Sequence, residues 1–104
     1  MTRFRFLPEA LIDLEEAAAW YEDQRPGLGA ELLDELESCI ATAIEAPDLG
    51  LLSGTTANGN EIRRYRLRRF RRYAILMSII DGLPTVVAFE HSSRRPRYWK
   101  ERVK

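Results

Sequence analysis

The stretch Trp20-Tyr21-Glu22-Asp23-Gln24-Arg25-Pro26-Gly27-Leu28-Gly29 decides how this chain folds. Upstream of it, Leu11, Leu14, Ala18 and Tyr21 recur at helical spacing, and Ala17-Ala18-Ala19 is strongly helix-forming. Pro8 presets a helical dihedral and Glu9 suits a helix N-terminus, which predicts a helix over residues 8–24. Downstream, Leu32, Leu36, Ile40 and Ala43 form a second stripe, widened by Leu33 and Ile44, until Pro47 ends it. The proline and two glycines between the stripes turn the chain back on itself. So short a connection makes the two helices antiparallel neighbours.

Outside the hairpin the period changes from helical to two. Arg3-Phe4-Arg5-Phe6-Leu7 alternates as a short strand with Phe4 and Phe6 inward. Residues 53–60 are small and polar, and a mobile loop is expected there. Residues 61–68 set Tyr65 and Leu67 against Arg64, Arg66 and Arg68, a strand with one apolar and one basic face. Tyr73 to Ile80 is almost wholly apolar, as a central strand would be, and Asp81-Gly82 marks a hairpin into a strand from Pro84 to His91. The remaining basic tail has room for a short helix. The expected fold is α+β: a strand, an antiparallel helical hairpin, then a three-stranded antiparallel meander in one small sheet, followed by a short C-terminal helix or tail. A single domain over residues 1–104 accounts for the whole chain, with Trp20, Leu36, Ile40, Ile75 and Phe89 in its core.

The formal net charge of zero hides a division. The first fifty residues carry nine more acids than bases, and the rest carry nine more bases than acids. Fourteen of the sixteen basic residues are arginine, whose planar fork bonds phosphate and carboxylate bidentately. No apolar run approaches the roughly 20 residues of a membrane span, and no signal-peptide pattern is present. With Cys39 the lone cysteine, a cytoplasmic protein without membrane contact is expected.

A glycine-rich phosphate loop, paired cysteines and a His-x-x-x-His spacing are all missing from the sequence, so neither a metal nor a small-molecule cofactor is expected. Cys39, beside the second helical stripe, reads as a small core residue. Asp13, Glu15, Glu16, Glu22, Glu31, Asp34 and Glu35 read as the hairpin's solvated face. The basic strand offers more. Alternate residues on one strand face lie about 6.6–6.8 Å apart, close to the spacing of successive phosphates. Arg64, Arg66 and Arg68, with Arg72 nearby, are therefore candidates to bind phosphates or an acidic partner, the alternative being a solvated face. His91, Arg94 and Tyr98 form a second candidate group. His91 could act as a general acid or base and Tyr98 could stack on a base, whereas Trp99 reads as a plug for the core.

Several segments together resemble the RelE/ParE superfamily, the toxins of type II toxin–antitoxin modules. They are Pro8-Glu9-Ala10, Asp13-Leu14, Ala17-Ala18, Trp20-Tyr21-Glu22, Gln24, Pro26-Gly27-Leu28-Gly29, Leu36-Glu37 and Pro47, then Arg64, Phe70, Tyr73, His91, Arg94, Pro96, Tyr98 and Trp99. The block W-Y-E-x-Q-x-P-G-L-G and the tail H-x-x-R-x-P-x-Y-W are its most specific parts.

The resemblance implies a toxin held inactive by a cognate antitoxin, with one of two targets. ParE-like members poison DNA gyrase. RelE-like members are endoribonucleases that cut mRNA on the ribosome, where Arg64, Arg66 and Arg94 would bind phosphates and His91 or Tyr98 would transfer protons. The RNA 2′-hydroxyl would then attack without a metal. That branch tends to carry an arginine just after the tyrosine matching Tyr73, where this chain has Ala74, and its Phe-Pro-Tyr corner is here Phe70-Arg71-Arg72-Tyr73. Losing such a charge clamp costs on the order of 10²-fold in rate, so the gyrase-directed branch is favoured. A non-toxic module that only binds its antitoxin is the third alternative.

Overall fold

A computed structural model describes residues 3–94 and 98–103 of the chain. The expected class and element order are present. Strand β1 (Arg5–Phe6) leads into helices α1 (Pro8–Gln24) and α2 (Leu28–Glu45). A 3₁₀ turn at Pro47–Leu49 precedes strands β2 (Leu51–Thr55), β3 (Glu61–Arg66), β4 (Tyr73–Ile80) and β5 (Leu83–His91). A second 3₁₀ turn covers Tyr98–Glu101. One sheet runs in the order β1-β5-β4-β3-β2, antiparallel except where Arg5 and Phe6 lie parallel to Thr85 and Val86.

The hairpin turn works through one acid. The Glu22 carboxylate, on the last turn of α1, accepts the backbone N–H groups of Gly27 and Gly29 at 2.9 and 3.0 Å. It thereby satisfies donors that the start of α2 leaves open. Gly29 lets the helices close: a Cβ there would stand 2.8 Å from the carbonyl oxygen of Ala18.

Two layers cover the two faces of the sheet. Leu14, Leu32, Leu36 and Ile40 pack from the helices onto Tyr65, Ile75, Met77 and Phe89. On the other face Ile62, Leu76, Val87 and Ala88 pack beneath Trp99, which is buried as expected. Leu36, Ile40, Ile75 and Phe89 are core residues as read from the sequence, but Trp20 is not. It is 57% exposed, lying on the flank of α1 with its ring edge against Tyr21. Phe4 is also largely exposed, because β1 is too short to carry it inward.

The supposed loop over residues 53–60 is half strand. Leu51–Thr55 pairs with Glu61–Arg64, with Ser53 as an extra residue between Leu52 and Gly54. The rest is a closed turn, in which Thr56 exchanges bonds with Asn60. Glycine and serine gave this strand no β signal, yet Gly54 is required: a Cβ there would sit 2.7 Å from the Trp99 ring. Strand β3 also stops at Arg66, short of Leu67 and Arg68.

β5 has a strand neighbour on its outer side only as far as Val86. Beyond that point Asp13 accepts the N–H of Phe89 at 3.2 Å, and Arg102 donates to the carbonyl of Val87 at 3.2 Å. The two side chains also bond each other bidentately at 2.6 and 3.1 Å. Asp13 therefore does not belong to a solvated face, its side chain being only 8% exposed. Glu22, Glu31 and Glu35 are likewise engaged, Glu31 and Glu35 with Arg69.

Removing one member of a buried ion pair leaves a charge without compensation and costs about 3–5 kcal/mol. Asp13→Ala should lose stability of that size in urea unfolding. Arg25→Ala, which breaks an exposed pair with Glu31, should lose less than about 1 kcal/mol. Equal losses from the two variants would mean that the Asp13 pair holds nothing in place.

Candidate functional site

The even-numbered positions of β3 share a sheet face with β4 and β5. Arg64 lies opposite Leu76, which lies opposite Ala88, and Arg66 opposite Ala74, which lies opposite Glu90. Half of this face is therefore closed by Trp99, and the basic row is broken up. The Arg64 Nε donates to Glu90 at 2.9 Å, and the two side chains are only 22% and 14% exposed. Arg66 is exposed, and Arg68 and Arg72 lie beyond the strand in the β3–β4 connection. Ala74, fully buried, sits in register between Arg66 and Glu90. An arginine placed there would be a packing change as well as a new charge.

His91, Arg94 and Tyr98 do not converge. His91 is in register with Tyr73, and its ring stands edge-on to the Tyr73 ring at 5.0 Å. Tyr73 in turn stacks on Phe89, so His91 belongs to the helix-covered face, opposite the arginine row. Its Nδ1 accepts the backbone N–H of Ser93 at 3.0 Å and lies 2.8 Å from the Ser93 hydroxyl. Tyr98 instead underlies two guanidinium groups, Arg94 at 4.9 Å and Arg102 at 5.1 Å from its ring centre. Arg94 also approaches Asp13 at 3.8 Å. The groove beside them, about 590 Å³, is lined by Glu9 and Glu101 as well as by these residues. Pro96 of the tail motif lies outside the described residues.

The Tyr98 hydroxyl is buried without a hydrogen-bond partner among the described residues. Burial pushes its pKa up to about 12. Burial also pushes the Cys39 thiol up to about 11, in keeping with a packing role and not a nucleophilic one.

Glu90 and Asp13 are the residues that reading the sequence missed. Glu90 is one of only four acids in the basic half, and that isolation was the available signal. The pairing itself depends on strand register, which no local pattern encodes.

The β3–β4 connection is a rigid knuckle. Leu67 and Phe70 are buried, and Leu67 donates its N–H to the Tyr73 carbonyl at 3.0 Å. The Arg69 backbone N–H bonds the Glu35 carboxylate, and its guanidinium bonds Glu31 at 2.7 Å. The Arg69 guanidinium, with that of Arg25, holds the Glu31 carboxyl below its usual range. Arg66, Arg68, Arg71 and Arg72 remain without an acidic partner among the described residues.

A helical hairpin on a small, mostly antiparallel sheet with an arginine-rich flank is the architecture expected of a type II toxin. The sequence profile of the ParE toxin of the type II toxin–antitoxin system parDE matches residues 4–96, and the chain belongs to that family. A cognate antitoxin is the partner that membership implies. No curated protein matches the chain. Among the described residues, no helix is long and apolar enough to cross a membrane.

Because Tyr98's folded pKa lies above the ordinary phenol value near 10, its neutral form favours the folded state. That contribution is complete below about pH 10 and is lost as pH rises through about 12. In an alkaline absorbance titration, Tyr98→Phe should remove one late-ionising tyrosine and leave the curve unchanged at lower pH. Loss of an ordinary, early-ionising tyrosine would contradict the burial.

Proposed function

We propose that this toxin poisons DNA gyrase and does not cleave RNA. The observation that carries this is the Arg64–Glu90 pair: a carboxylate occupies the face on which a ribonuclease must stabilise negative charge. Ala74, beside it in register, offers no replacement cation. His91 lies across the sheet from Arg64, too far around to exchange protons at a phosphate held there. The Tyr98 hydroxyl is buried and keeps its proton at neutral pH, and two guanidiniums cover its ring, so it neither acts as a base nor stacks on a nucleobase.

The antitoxin is expected to cover exposed apolar positions on the hairpin, such as Ile12, Leu33 and Trp20. Glu15, Glu16, Asp34 and Glu37 surround them, so the covering segment should carry basic groups as well as an apolar stripe. An acidic segment would fit only the arginine knuckle.

Purified toxin should block supercoiling by gyrase and leave ribosome-bound mRNA uncut, as read by primer extension. Glu90→Gln, which releases Arg64, should create no cleavage, and His91→Ala should stay toxic. Cleavage at a fixed codon position by the unaltered toxin would falsify the proposal and assign the chain to the ribonuclease branch.

A further inference from the structure

The knuckle between β3 and β4 presents Arg66, Arg68, Arg71 and Arg72 on a framework that is already rigid. Phe70 anchors it in the core beside Tyr21, with ring centres 4.9 Å apart. Arg69 holds it to α2 through Glu31 and Glu35. The remaining four guanidiniums are thus displayed without acidic partners among the described residues, and the loop needs little ordering to bind. Four positive charges gathered on one loop, with no acid paired to them among the described residues, suit an external polyanion.

We infer that this knuckle binds the phosphodiester backbone of duplex DNA, independently of sequence. Protein interfaces usually centre on a packed apolar core, and the knuckle's two apolar side chains, Leu67 and Phe70, are buried within the fold and leave none to offer. Single-stranded nucleic acid is usually held by exposed rings that stack on its bases, and the knuckle's one ring, Phe70, is buried. What it offers is cationic forks alone, which suits a duplex whose bases are stacked and whose phosphates face outward. Arg64, read from sequence as part of the same row, is excluded by its bond to Glu90, whereas Arg71, outside that row, adds a charge to the loop and donates from Nε to the Arg68 carbonyl at 3.3 Å. This inference does not depend on gyrase being the target, since the DNA contact is direct.

The test is fluorescence anisotropy of the full chain with a labelled duplex of arbitrary sequence, across a salt series. Four phosphate contacts give a slope of log K against log salt of about −3.6, a loss of roughly 10²-fold between about 50 and 200 mM salt. Arg68→Gln and Arg72→Gln should each reduce that slope by about 1, whereas Arg25→Gln, on the hairpin turn, should not change it. Thermal unfolding of the same variants checks that each is folded. Absence of duplex binding at about 50 mM salt overturns the inference, as does a slope indifferent to the knuckle variants. Tighter binding to single-stranded RNA of equal length would assign the surface to RNA, and binding only to an acidic peptide would assign it to a protein. Gyrase inhibition by a toxin that ignores free duplex would overturn the DNA contact and leave the proposed target standing.

Discussion

The outer edge of β5 is where this fold is held shut. A sheet strand without a neighbour leaves backbone donors and acceptors exposed, and β1 supplies a neighbour for only two residues. Asp13 and Arg102 complete the edge with side chains, one accepting from Phe89 and the other donating to Val87. Because Asp13 belongs to α1 and Arg102 follows the Tyr98–Glu101 turn, this one arrangement joins helix layer, sheet and C-terminal segment. It also fixes Trp99 over the second face of the sheet. The depth of that face, and hence the shape presented around Arg64 and Tyr98, follows from it.

Charge in this molecule is sorted twice. The sequence separates acids from bases, and the fold then brings selected members back together. Asp13 meets Arg102, Glu31 and Glu35 meet Arg69, and Glu90 meets Arg64. In each case the pair locks a structural element in place, so these arginines are structural despite their chemistry. Among the described residues, the knuckle keeps arginines and the hairpin keeps acids that are in no such pair, on different parts of the surface. A molecule built this way can meet a polyanion with one surface and a basic segment with another, without either blocking the other by charge.

The helical hairpin was legible because its information is local. Stripe spacing and Pro8 set the first helix at Pro8–Gln24, while the second begins at Leu28, inside the stretch read as a turn, and ends at Glu45 before Pro47. β4 was legible for the same reason, an unbroken apolar run. β2 was not, since Leu51–Thr55 is defined by what Gly54 admits, a tryptophan 45 residues later in the chain. The two-face reading of β3 failed at Ile62, which shares the arginine side of the strand but is buried under Trp99. Trp20 was misplaced because a large ring on a helix usually points inward, whereas the seam is already filled by Tyr21 and Phe70. For the site, residue types were readable and pairings were not. Arginine next to histidine and tyrosine suggests chemistry, and only register reveals that Glu90 disarms Arg64 and that His91 faces the other way.

The parallel pairing of β1 with β5 also governs timing. Arg5 waits for Thr85, and Asp13 waits for a partner 89 residues further on. Contacts of such long sequence separation slow folding, because the chain must close a large loop before they form. During synthesis the hairpin can form early, but the outer edge of β5 cannot be completed until Arg102 has been joined.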